Sequence, residues 1–156
     1  DFCRLGTFIE RADNTARILD VKYYVLLPSA KAVGTSIDNV QWETILRSVS
    51  AYGGFRLEYG HEAGPGDIAK FLILDKRMPR SLIYCCEILK LHLSSLCSTY
   101  RNKPASFSQI MQLQKRFLTH DIEAIFKFGL HDFLQKMISL FADLSDQIEI
   151  DYRFYE

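Results

Sequence analysis

Residues 2–26, FCRLGTFIERADNTARILDVKYYVL, hold the pattern that decides the fold. Leu5, Ile9, Ala12, Ala16, Leu19, Tyr23 and Leu26 recur at alternating steps of four and three, which lays one apolar seam along a helix. The spacing predicts a first helix of about 23 to 25 residues, stopped at Pro28 because proline cannot continue a helix interior. Ala12 and Ala16 remove side-chain bulk at mid-seam. A neighbouring helix can therefore come close, and a packed bundle is expected.

The same period returns further along the chain. After a loop at Ser29 to Thr35, Asp38 or Asn39 is suited to cap a second helix with Trp42, Ile45, Val49 and Tyr52 inward, weakened or bent at Gly53 and Gly54. A connector with His61, Gly64, Pro65 and Gly66 leads to a short apolar helix from Ile68 to Leu74, with Asp67 near its start and a turn at Asp75 to Met78. Pro79 suits the first position of the next helix, where a missing N–H costs nothing. Leu82, Cys86, Leu89, Leu93 and Leu96 form its seam. Asn102 to Ala105 break the chain, and Ser106 or Ser108 is suited to cap a helix carrying Phe107, Ile110, Leu113 and Phe117. Asp121 caps a short turn over Ile122 to Phe128. Leu130, Leu134, Met137, Phe141, Leu144 and Ile148 mark the last helix. No segment requires a strand. The expected fold is all-α, an antiparallel up-and-down bundle of five to six helices in a single domain over residues 1–156.

Composition limits the function classes. A chain of 156 residues that is 48% hydrophobic can bury one sizeable core. With 19 basic and 19 acidic residues the formal charge is zero, so no global basic field gathers nucleic acid. No apolar run approaches the roughly 20 residues a bilayer span needs. Cys3, Cys85, Cys86 and Cys97 show no CxxC spacing, and reduced, mostly buried thiols suit a cytoplasmic setting. Charge is nevertheless uneven: residues 76–116 carry eight basic residues against Glu87 alone, and residues 117–156 carry eight acids against Lys127, Lys136 and Arg153. Either oppositely charged helices lie side by side, or a basic face awaits an acidic partner.

The first helix also carries the most informative charges. Arg17 has Asp13 at i−4 and Asp20 at i+3 and can be matched locally. Arg11 borders the seam with Phe8, Thr7, Asn14 and Thr15 at those spacings and no acid, so its partner must come from elsewhere. A carboxylate on another helix, taken by the guanidinium fork, is the first expectation; an anionic ligand is the second. Other chemistry is sparse. His61, His92, His120 and His131 lack paired metal-ligand spacing, so no metal is expected. Gly64-Pro65-Gly66 lacks the Lys and Ser or Thr of a phosphate-binding loop, and no cofactor is expected. Ser94 and Ser95 fall mid-helix without a placed base. Tyr152, Phe154 and Tyr155 suit bundle packing better than a stacking platform.

Phe2 to Tyr24, with Glu10-Arg11 followed by Thr15-Ala16-Arg17, resembles the bacterial alpha-E family, an α-helical domain of unknown function named for its ER motif. The resemblance continues through Gln41-Trp42 and through Phe71-Leu72-Ile73-Leu74-Asp75 to Pro79-Arg80-Ser81. Carried over position by position, the motif residues are Glu10, Arg11, Thr15, Arg17, Asp20, Trp42, Asp75, Pro79, Arg80 and Ser81. Met78 stands where an aromatic is expected, and the His61 to Gly66 connector is not a family feature. The resemblance implies a chain of two related halves, of which this is the C-terminal one, with the N-terminal half as a partner. It also implies a gene neighbourhood of ATP-grasp-type ligases and transglutaminase-like peptidases, with an accessory part in making or processing a peptide.

Two functional expectations follow. The first is a non-catalytic helical accessory or interaction module assisting an ATP-grasp-type peptide ligase, with the ligase or its peptide substrate as partner. The second is an enzyme or anion-binding site inside the bundle, using Glu10 and Arg11 with Arg17 or Arg80.

Overall fold

The structure is a computed structural model that describes residues 1–25, 36–60 and 63–154. The side chains of residues 23–25 and 36–39, and with them Tyr23 of the seam, lie outside that description. So do Leu26, Pro28, the loop at 29–35, His61 and Tyr155. Asp38 and Asn39 fall inside the helix Ser36–Ser48 instead of capping it, because that helix already begins at Ser36. Among the described residues there are eight helices and no strand: α1 (Phe2–Val25), α2 (Ser36–Ser48), α3 (Tyr52–Tyr59), α4 (Pro65–Leu74), α5 (Leu82–Tyr100), α6 (Ala105–Thr119), α7 (Ile122–Phe128) and α8 (Leu130–Tyr152). The count exceeds the expected five to six because two short segments, α3 and α7, are separate helices.

Four long helices, α1, α5, α6 and α8, make the bundle. Each packs on two of the others: α1 on α5 and α8, and α6 on α5 and α8. Neighbours run antiparallel. Thr15 of α1 meets Arg80 just before α5, whereas Phe2 at the start of α1 meets Tyr152 at the end of α8. Lys90 of α5 reaches Gln114 of α6, and Phe117 late in α6 stacks edge-on with Phe133 early in α8. Helices α2, α3 and α4 pack together beside this bundle, α2 on α1 and α4 on α5 and α7.

The apolar seams of α5 and α8 are buried along their whole length. In α1 the seam is shifted: Leu5, Phe8, Ala12, Ala16 and Leu19 are buried with Thr15 and Lys22, while Ile9 is only partly covered. Ala12 and Ala16 have no exposed surface, as a close helix approach demands.

Helix boundaries correct several expectations. The proline at the first helical position is Pro65, not Pro79; it starts α4, and Asp67 accepts the Gly64 N–H at 3.0 Å. Pro79 lies in a turn, and α5 begins three residues later because the Ser81 hydroxyl accepts the Tyr84 N–H at 3.1 Å. Helix α6 is capped by neither Ser106 nor Ser108: Asp151 of α8 accepts the Ser106 N–H at 2.8 Å, a cap supplied through space. The Asp121 cap on α7 is as expected, accepting Ala124 N–H at 2.7 Å. The break between α2 and α3 falls at Ser50, with φ of 55°, rather than at Gly53 and Gly54, which lie inside α3.

Candidate functional site

The site is built where the middle of α1 meets two turns, the one joining α2 to α3 and the one joining α4 to α5. The second turn is tied down at several points. The Asp75 carbonyl accepts the Ser81 hydroxyl at 2.5 Å, and the Asp75 carboxylate accepts the Arg77 N–H at 2.7 Å and the Arg77 side chain at 3.2 Å. Arg77 also reaches Glu58 of α3 at 2.7 Å. Burial alone would raise the Asp75 carboxyl, but hydrogen bonds and charge from Arg77 hold it below the usual carboxylate range. From α1, Thr15 donates to the Arg80 carbonyl at 2.9 Å, with no exposed surface of its own. The backbone that bears Arg80 is thereby fixed to the helix that bears Arg11.

Arg11 and Arg80, both half-buried, line a cleft of about 360 Å³ together with Ser50, Gly54, Met78 and Pro79. Among the described residues neither arginine forms an ion pair with a carboxylate. The expected inter-helix carboxylate for Arg11 is therefore not found. Its guanidinium instead lies over the Phe8 ring one turn earlier, with Cζ 4.9 Å from the centroid, an arrangement that holds the side chain without neutralising it. Behind the cleft, burial pushes the Cys85 thiol up to about 12 even though the positive charges of Arg11 and Arg80 pull it down. Cys85 does not itself line the cleft; its Sγ lies 3.9 Å from the Pro79 carbonyl.

The remaining motif residues are dispersed. Glu10 is exposed and does not line the cleft, so the acid–base partner expected beside Arg11 is not assembled there. Arg17 is exposed and satisfied by Asp13 at 2.7 Å, which raises its pKa. Asp20 turns away from Arg17 to α8, where it bonds His131 Nδ1 and Gln135, each at 2.6 Å. Trp42 is buried and its ring lies 5.4 Å from the Lys22 ammonium, which donates to Gln41 at 2.6 Å. Met78, in place of the expected aromatic, is buried in the cleft wall.

Two features escaped the sequence reading. Lys22 shares a helix angle with Arg4 and Arg11, yet it is almost fully buried while Arg4 is exposed, because Gln41 and Trp42 of α2 pack against it. A polar cluster also joins α2 to α3: Glu43 accepts from Arg56 at 2.6 Å and from Tyr52 at 3.2 Å, while Arg47 stacks on the Tyr52 ring at 3.9 Å. These partners stand up to 13 residues apart on either side of an irregular turn, beyond the reach of a helical period.

The cysteines form no disulfide: Cys85 and Cys86 are buried, Cys97 is partly covered and Cys3 is exposed. No group of three metal-ligating side chains occurs among the described residues, and no described helix is long and apolar enough to cross a membrane. Helix α6, largely of the basic segment, does pack beside α8 of the acidic one. Lys76 and Arg77 take Glu87, Glu58 and Asp75, and among the described residues no base from 76–116 forms an ion pair with an acid from 117–156.

No curated protein and no solved structure matches the chain. A family model does match, over residues 1–152: Alpha-E, described as a predicted α-helical domain with a conserved ER motif. With essentially its whole length matched, and with Glu10-Arg11 on the helix that builds the cleft, the chain belongs to the Alpha-E family.

Proposed function

We propose that this chain is a helical accessory module that recognises an anionic group, a carboxylate or a phosphate, in the cleft between Arg11 and Arg80, and that it does so without catalysing a reaction there. The observation that carries this reading is a pair of half-buried arginines lining one cleft with no carboxylate among the described residues ion-paired to either. Two like charges held in a partly desolvated cleft repel, and an anion between them relieves that repulsion while satisfying the guanidinium donors. Thr15 and Ser81 hold the backbone on either side, so the donors are preorganised. Glu10 stands outside the cleft, which supports recognition over acid–base chemistry.

In this reading the partner is an ATP-grasp-type ligase or its peptide substrate, either of which presents carboxylates or phosphates. The test is co-purification of the full-length protein with such a ligase, comparing wild type with the Arg11→Gln/Arg80→Gln variant. Retention that falls by roughly tenfold or more in the variant supports the cleft as the contact. Equal retention of both proteins contradicts the cleft, and no association of the wild type at about micromolar concentration contradicts the partner.

A further inference from the structure

A second cavity, of about 490 Å³, lies between the end of α6, helix α7 and the start of α8, away from the arginine cleft. Its wall is apolar: Ile125, Phe133 and Met137 are buried around it, and Phe128 stands at its edge with 74% of its surface exposed. An aromatic ring that exposed beside a concave apolar wall is surface that a bound molecule would cover. The polar lining includes two cations, Arg116 from α6 and Lys136 from α8, beside His120 between α6 and α7. Among the described residues neither Arg116 nor Lys136 has an ion-pair partner. Asp132 also lines the cavity, but it sits in the first turn of α8, where the N–H groups of the helix start attract its charge.

We propose that this cavity binds a small organic carboxylate with an apolar tail, the tail against Ile125, Phe128, Phe133 and Met137 and the carboxylate between Arg116 and Lys136. The volume of about 490 Å³ falls within the range of small-ligand pockets, and an apolar wall with a few charged side chains in its lining is the form such pockets take. The two basic side chains come from different helices, so a single carboxylate engaging both is fixed in orientation as well as attracted.

Sodium decanoate is the probe, kept below the concentration at which it forms micelles and followed by amide chemical shifts of the full chain. Saturable shifts confined to the end of α6, α7 and the start of α8, with half-saturation below about 1 mM, support the proposal. Decanol carries the same tail without the charge and is expected to bind at least about tenfold more weakly. Arg116→Glu/Lys136→Glu alters two exposed side chains that stabilise no ion pair, so it is expected to fold as wild type and to lose decanoate affinity by a similar factor. No saturable shift, equal binding of decanol, or an unchanged affinity in the double variant would each overturn the proposal. Shifts centred on Arg11 and Arg80 would overturn it too, by assigning the carboxylate to the other cleft.

Discussion

Replacing Arg11 by glutamine separates two accounts of that side chain. Were it half of a buried ion pair, the substitution would strand a carboxylate and cost about 3 to 5 kcal/mol. Stacked on Phe8 with no acid to strand among the described residues, it should lose only about 0.5 to 1 kcal/mol of unfolding free energy in urea, and Arg80→Gln should lose no more. Asp75 is the contrasting case. Its carboxyl is held below its unfolded value, so the stabilisation it gives is fully present above the unfolded pKa and is lost as pH falls through the folded one. Asp75→Asn should therefore destabilise by about 1 to 2 kcal/mol at neutral pH, and the gap to wild type should close in acid. Thiol reactivity gives a third check. Burial pushes both Cys85 and Cys86 up to about 12, so at pH 8 iodoacetamide should modify exposed Cys3 rapidly and leave the buried pair intact until the protein unfolds. At this scale the sequence showed that Arg11 lacks a local acid, because the helical period fixes what lies one turn away. The motif residues offered Arg17 or Arg80 as its companion, but helical spacing could not choose Arg80, since 69 residues and three other helices separate the two.

Helices were legible where burial is periodic and misread where a single hydrogen bond sets an end. The seams of α5 and α8 follow directly from their spacing, because a helix buried along one stripe has little freedom in register. The start of α5 was misplaced because two rules compete within three residues. Pro79 permits a helix start, but the Ser81 hydroxyl satisfies a real orphan donor and also bonds the Asp75 carbonyl. Ser81→Ala should accordingly cost about 1 to 2 kcal/mol, and loosen the turn that carries Arg80. The start of α6 depends on Asp151, 45 residues away, which no local signal reveals. Within α3, Gly53 is helical and a methyl group there would meet nothing within 4 Å. Gly53→Ala should raise stability by about 0.5 to 1 kcal/mol, measured by urea denaturation, and the absence of any gain would mean that α3 is not a persistent helix.

Across the whole molecule, the bundle serves as a frame that brings two arginines from distant segments to one place. Four antiparallel helices form the frame, and the close contact at Ala12 and Ala16 sets α1 near enough for Thr15 to reach the Arg80 carbonyl. Enlarging Ala16 to leucine should overpack that contact, cost about 1 to 3 kcal/mol, and weaken anion binding even though no arginine is touched. The architecture followed from the sequence because hydrophobic period determines which faces are buried. The cleft did not, because it forms where two irregular turns meet one helix. Its central property is open to direct measurement: a titration of the protein with inorganic phosphate, observing the side-chain Nε–H resonances of the arginines. If the cleft is an anion site, Arg11 and Arg80 shift together along one saturable isotherm while solvent-facing, acid-paired Arg17 stays still; shifts that are absent, unsaturable or spread evenly over all three would contradict it.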